Sequence, residues 1–254
     1  MADFAWGQPA ATAAAAPDHT VRARHSAVVR LTHWITFLAF LVLLLTGIGI
    51  LISHPRFYWG ETGNVLTPPL FQLPIPASRS SVPTGYGYTL PDQNGRGRYL
   101  HFQSAWVLVL TGLVYAIFGF FSGHFRKNFI PARSELSLKN LSSIIARDLR
   151  LRPASDVDAR SYNALQRIAY LVVVFLLFPL VTWTGLAMSP AVASAIPLAV
   201  TILGGQQSAR TIHFFVSIAL VLFLLVHILM VWLAGLGNRL GVMISGGRAE
   251  QDEA

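Results

Sequence analysis

His213 and His227 stand fourteen residues apart in a stretch, Thr211 to Leu236, that contains no charged residue. On an α-helix that spacing returns to within about 40° of the same face and about 21 Å further along the axis. Imidazole is a favoured metal ligand. One membrane helix carrying both rings can therefore serve two metal centres stacked across a bilayer. Each centre then needs an opposing ligand from another helix.

The elements that must position these rings follow from composition. Of the 254 residues 54% are hydrophobic and 12% charged, with mean hydropathy +0.54. Four stretches are long and apolar enough to cross a hydrocarbon core of about 30 Å: Val29–Ile52, Tyr99–Ser122, Arg167–Met188 and Thr211–Leu236. In lipid each must satisfy its own backbone, so each is a helix. The expected fold is all-α, an integral membrane four-helix bundle over 25–240. A disordered tail at 1–24 precedes it and a tail at 241–254 follows. The first twenty residues lack a basic stretch before an apolar core and do not read as a cleaved signal peptide.

The net charge of +8 reads as topology rather than nucleic-acid binding. Arg22, Arg24 and Arg30, the nine Lys and Arg residues from Arg126 to Arg167, and Arg239 and Arg248 all fall on one side. Only Arg56, Arg79, Arg96, Arg98 and Arg210 fall on the other. The bias puts both termini and the loop 123–166 in the cytoplasm and the loop 53–98 in the periplasm. The protein is thus expected in the bacterial inner membrane.

With that topology His33 lies near the cytoplasmic leaflet, His101 and His213 near the outer face, and His227 deeper toward the cytoplasm. Depth pairs His101 with His213 and His33 with His227. The chain has no cysteine, which excludes disulfides, Cys-ligated clusters and covalent haem. A lone Zn²⁺ wants three or four protein ligands, and no carboxylate accompanies these histidines. Haem supplies its own four equatorial nitrogens and needs only two axial imidazoles. The expectation is two non-covalent haems b with His33, His101, His213 and His227 as axial ligands. A flat macrocycle needs small residues opposite it. Gly47 lies fourteen residues past His33, while Gly112 and Gly119 lie close to the face of His101. Haem propionates want basic partners at the membrane edge. Arg98 and Arg210 flank His101 and His213 and are expected at the outer haem, with Arg24 or Arg30 at the inner one.

The outer loop is rich in proline, glycine and aromatic residues. Phe57, Tyr58, Trp59 and Phe71 are read as an ordered surface that docks a partner, or as an interfacial aromatic belt. Trp34, Trp106, Trp183 and Trp232 are read as packing or belt residues. The uncharged segment 189–210 is expected to lie along the membrane surface. His19 and His54 carry no assigned role.

At Arg30-Leu31-Thr32-His33-Trp34, Arg98-Tyr99-Leu100-His101 and the His213/His227 pair, the chain resembles the cytochrome b561-type bacterial membrane subunits. These serve nickel–iron hydrogenases, formate dehydrogenase and thiosulfate reductase. The resemblance implies two haems b on these four histidines and a quinone site near the cytoplasmic haem. His25, Arg30, His124, Asn128 and Arg167 are the candidate surroundings of that site. The loop segment Ser53 to Glu61 resembles the thiosulfate-reductase-like branch, which implies a periplasmic redox partner of the molybdopterin oxidoreductase kind. The chain is then an electron-transfer subunit rather than a stand-alone catalyst. Two alternatives share the four helices: a stand-alone superoxide:quinone oxidoreductase, and a non-redox transporter with proton-relay histidines.

Overall fold

The computed structural model describes residues 25–64, 66–75, 91–131, 133–149 and 164–246. The expected tail at 1–24 lies outside them. Four helices are long and apolar enough to span a membrane: Ala27–Ser53, Gly95–Phe121, Ala164–Ala187 and Gln206–Leu233. Their flanks differ from the sequence reading mainly at the second span. Helix α2 runs Pro91–Phe121, so Arg96 and Arg98 ride on a helical extension rather than in the loop.

Helix α1 (Ala27–Ser53) starts where the Ser26 hydroxyl accepts a hydrogen bond from the Val29 N–H. That satisfies one of the orphan donors at the helix start. After α2, the short α3 (His124–Asn128) and the amphipathic α4 (Leu138–Leu149) occupy the connection to the third span. That span is built from three pieces: α5 (Ala164–Val172), a π-helical turn (Val173–Leu177) and α6 (Phe178–Ala187). Pro179 explains the interruption. It has no N–H to give the Phe175 carbonyl, and its ring crowds that carbonyl, which the wider π turn accommodates.

Two short helices, α7 (Pro190–Ala195) and α8 (Leu198–Thr201), follow before α9 (Gln206–Leu233). They leave Ile196, Leu198 and Ile202 exposed. A last helix, α10 (Leu236–Ser245), continues through residue 240, where the membrane domain was expected to end.

The bundle is two helix hairpins. α1 packs on α2, and α6 packs on α9. Close approach in the second hairpin uses small residues: Thr184, Ala187, Ser208 and Ala209 are all completely buried. Small side chains let helix backbones meet in lipid, where apolar surface alone drives no association. Exposed residues such as Leu38, Leu45, Leu110 and Leu225 make the apolar coat that lipid requires.

Candidate functional site

The two hairpins bring the four histidines together in the pairs that depth predicts. The rings of His33 and His227 have centroids 6.3 Å apart at an interplanar angle of 77°. Those of His101 and His213 are 6.4 Å apart at 62°. Neither separation allows ring stacking, yet both are close to one specific demand. A metal–imidazole bond is about 2.0 Å and a ring nitrogen lies about 1.1 Å from the ring centre, so two imidazoles on opposite sides of one metal have centroids about 6.2 Å apart. Among the described residues no group of three or more His, Asp or Glu side chains converges. The pairs therefore suit a group that brings its own equatorial ligands, as haem does.

The His101/His213 pair is braced from behind. The Nδ1 of His101 is 2.9 Å from the Thr46 hydroxyl, and that of His213 is 3.0 Å from the Thr184 hydroxyl and 3.1 Å from the Val181 carbonyl. A glycine follows each threonine. A Cβ on Gly47 would lie 3.6 Å from Cε1 of His101, and one on Gly185 would lie 3.4 Å from Cε1 of His213. Gly47 was read from its spacing to His33. Gly185 and both threonines were missed, although the repeated Thr-Gly dipeptide in spans one and three was a visible signal.

Arg98 and Arg210 meet at one residue, His54. Arg98 lies 3.4 Å from the His54 Nε2, and Arg210 donates to the His54 carbonyl. Arg210 also sits 5.2 Å above the centre of the Phe57 ring. Two guanidiniums gathered at one end, with no carboxylate in ion-pair range of either among the described residues, favour an anion there. His54 carried no role in the sequence reading, yet it links the two arginines.

The aromatic loop faces inward more than expected. Strand β1 (Arg56–Phe57) pairs antiparallel with β2 (Phe71–Gln72). Phe57 stacks on Phe71 at 4.6 Å and meets Phe214 at 4.5 Å. Phe57 and Tyr58 are buried, which removes them from any docking surface, while Trp59 remains exposed. The loop also caps α9. The Gly60 carbonyl accepts from the N–H groups of Gln207 and Ser208, and Glu61 accepts from that of Gln206. These are the orphan donors of a helix start, where a carboxylate also complements the dipole. Gly205 has φ +112°, and a Cβ there would strike the Gly60 carbonyl group at 2.5 Å. Thr211 completes the contact by donating to the Tyr58 carbonyl at 2.7 Å.

The His33/His227 pair opens instead into a cavity of about 1080 Å³. That is at the upper end of the range of about 300–1,000 Å³ for ligand and cofactor pockets. Gly112 lines it, and a Cβ on Gly112 would meet nothing within 4 Å. Gly112 lies eleven residues past His101 on the same helix, at the depth of the His33/His227 pair. Gly119 provides no clearance for a cofactor, because the Phe125 ring fills the space beside it.

His25, His124 and Asn128 all line the cavity. The Asn128 side chain is 3.0 Å from Nδ1 of His124. Burial holds the His124 imidazole below its usual pKa, so the ring is neutral at neutral pH. Arg30 and Arg167 do not line the cavity. Arg30 donates to the Ile244 carbonyl at 2.8 Å, and Trp34 donates to the Met243 carbonyl at 3.1 Å. The start of α1 thus clamps the end of α10, where a cation also suits the helix dipole. Arg167 bonds the Ile130 carbonyl and lies 3.8 Å from Glu135. Arg24 lies outside the described residues. The cations that do face the cavity are Lys127 and Arg239.

The sequence pattern of the prokaryotic cytochrome b561 family matches residues 24–246. The chain belongs to that family. A cytochrome b561-type subunit binds haem b and transfers electrons within the bacterial inner membrane, which sets aside the non-redox transporter reading. The putative protein-methionine-sulfoxide reductase subunit YedZ1 of Azospira oryzae is 32% identical over 216 residues, covering 83% of this chain and 91% of that protein. No solved structure matches the chain.

Proposed function

We propose that this cytochrome b561 subunit holds two haems b and passes electrons between membrane quinone and a periplasmic redox partner. One haem is held by His33 and His227, the other by His101 and His213. The observation that carries this reading is the pair of ring separations, 6.3 and 6.4 Å, each suited to one metal between two imidazoles. Bound there, haem supplies one-electron chemistry at an iron with no open position. The chain's residues hold the rings, exclude water and set the charge around each centre. Arg98 and Arg210 hold the propionates of the His101/His213 haem.

The distribution of basic residues orients the bundle with both termini in the cytoplasm, which makes His33/His227 the inner pair and His101/His213 the outer pair. The inner cavity is the quinone site. The Asn128 amide N–H donates to Nδ1 of His124, so the ring, kept neutral by burial, carries its proton on Nε2 and donates it in a hydrogen bond to a quinone oxygen. The name of the Azospira relative supports a redox partner that reduces protein methionine sulfoxide, a two-electron, two-proton reaction. We assign that partner to the molybdopterin oxidoreductase kind on the resemblance of Ser53 to Glu61.

Alanine substitution tests the pairing. Changing His101 or His213 should remove one haem band from the reduced spectrum, and changing His33 or His227 should remove the other. Loss of the same band from one member of each pair contradicts the assignment.

A further inference from the structure

Of the two histidine pairs, only the outer one has hydrogen-bond partners behind its rings among the described residues, and both are threonines placed alike. Thr46 donates its hydroxyl proton to the Val42 carbonyl at 2.7 Å. Thr184 donates to the Leu180 carbonyl at 2.8 Å. A hydroxyl has one proton to give. With that proton committed to the carbonyl one turn earlier, each threonine oxygen can only accept from the imidazole beside it. The carbonyl three residues before each threonine, Leu43 and Val181, is a second acceptor for the same ring. The proton on each imidazole must therefore be on Nδ1, which leaves Nε2 as the free lone pair.

We propose that Thr46 and Thr184 are positioning residues that lock His101 and His213 in the Nδ1–H tautomer and lower the potential of the haem between them. The proposal rests on the reading that these two histidines are axial ligands. A ring whose N–H is given to an acceptor is a more basic ligand. More basic axial ligands favour the oxidised, more positive iron. The Thr-Gly unit joins two functions in adjacent residues. The threonine takes the ring proton, and the glycine lets the helix approach the ring edge to 3.4–3.6 Å. His33 and His227 have no hydroxyl at either ring among the described residues, so the tuning is confined to one end of the electron path.

The test is a spectroelectrochemical titration of the purified holoprotein, with the outer haem identified by its absence in His101→Ala. Thr46→Val and Thr184→Val keep side-chain shape and remove the hydroxyl acceptor, leaving each ring only the carbonyl of Leu43 or Val181. Each should retain both haems and raise the outer potential, by about 59 mV for a tenfold change in the one-electron equilibrium. Thr46→Ser and Thr184→Ser should restore the original value. Retained haem with an unchanged outer potential overturns the proposal and leaves the haem assignment standing. A colourless wild-type protein overturns the haem assignment itself. If the valine variants lose the outer haem, the serine variants decide: a wild-type potential supports the proposal, and loss of haem in them overturns it.

Discussion

The two ends of the bundle are built differently around the same pair of imidazoles. At the His101/His213 end the rings are hydrogen-bonded from behind, the flanking helices meet through fully buried small residues, and a folded-in loop caps α9. At the His33/His227 end the rings face a cavity of about 1080 Å³ lined in part by the short amphipathic helix α10. The contrast teaches that equal ligand geometry does not imply equal surroundings. One end holds its rings by hydrogen bonds from behind, and at the other the rings line an open cavity.

The sharpest way to break that comparison is to add bulk at both ends. Gly185→Leu places side-chain atoms against the His213 ring and should remove the outer haem, with a packing cost of about 1–3 kcal/mol. Gly112→Leu projects into open cavity space and should fold normally while displacing whatever occupies the inner end. Haem content read per band, together with thermal unfolding, checks both. Equal effects at the two ends would erase the distinction.

A smaller effect is expected where the two ends differ in chemistry. His124→Leu should slow reduction of the haems by added quinol about fivefold, through the loss of one hydrogen bond of about 1 kcal/mol. Both haem potentials should stay unchanged. Because burial lowers the pKa of His124, the wild-type rate should fall only at low pH, as protonation at Nδ1 expels the Asn128 N–H that orients the ring. An unchanged rate in the variant removes His124 from the quinol step.

Thr211→Val isolates the loop. It deletes a buried hydrogen bond to the Tyr58 carbonyl, so stability should drop by about 1–3 kcal/mol, with faster proteolysis in the 54–72 segment. Arg30→Gln should have the mildest effect, about 1 kcal/mol from the lost contact to Ile244. It should appear as faster hydrogen exchange at the end of α10 alone.

The four spans and the histidine pairing were legible because both are periodic. Hydropathy reports a helix that crosses lipid, and a fourteen-residue spacing reports one face. The roles of Arg30 and His54 were not legible, because each depends on a contact between segments far apart in sequence, while that of Gly119 depends on the turn that folds Phe125 back beside it. Arg30 reaches Ile244, and His54 gathers Arg98 and Arg210. Phe57 and Tyr58 misled for a related reason. Aromatic residues in a long loop read as a surface until the short β pairing folds Phe57 onto Phe214 and Tyr58 is held by Asn64 and Thr211. The Thr-Gly repeat lay between these cases, visible as a pattern but silent about which ring it served.

The most direct test of the central claim is a pyridine haemochrome assay on the purified protein, with a dithionite-reduced spectrum of the same sample. The account predicts two haems b per chain, with no covalently attached haem. One haem per chain would contradict the paired centres, and a colourless protein would contradict the haem reading altogether.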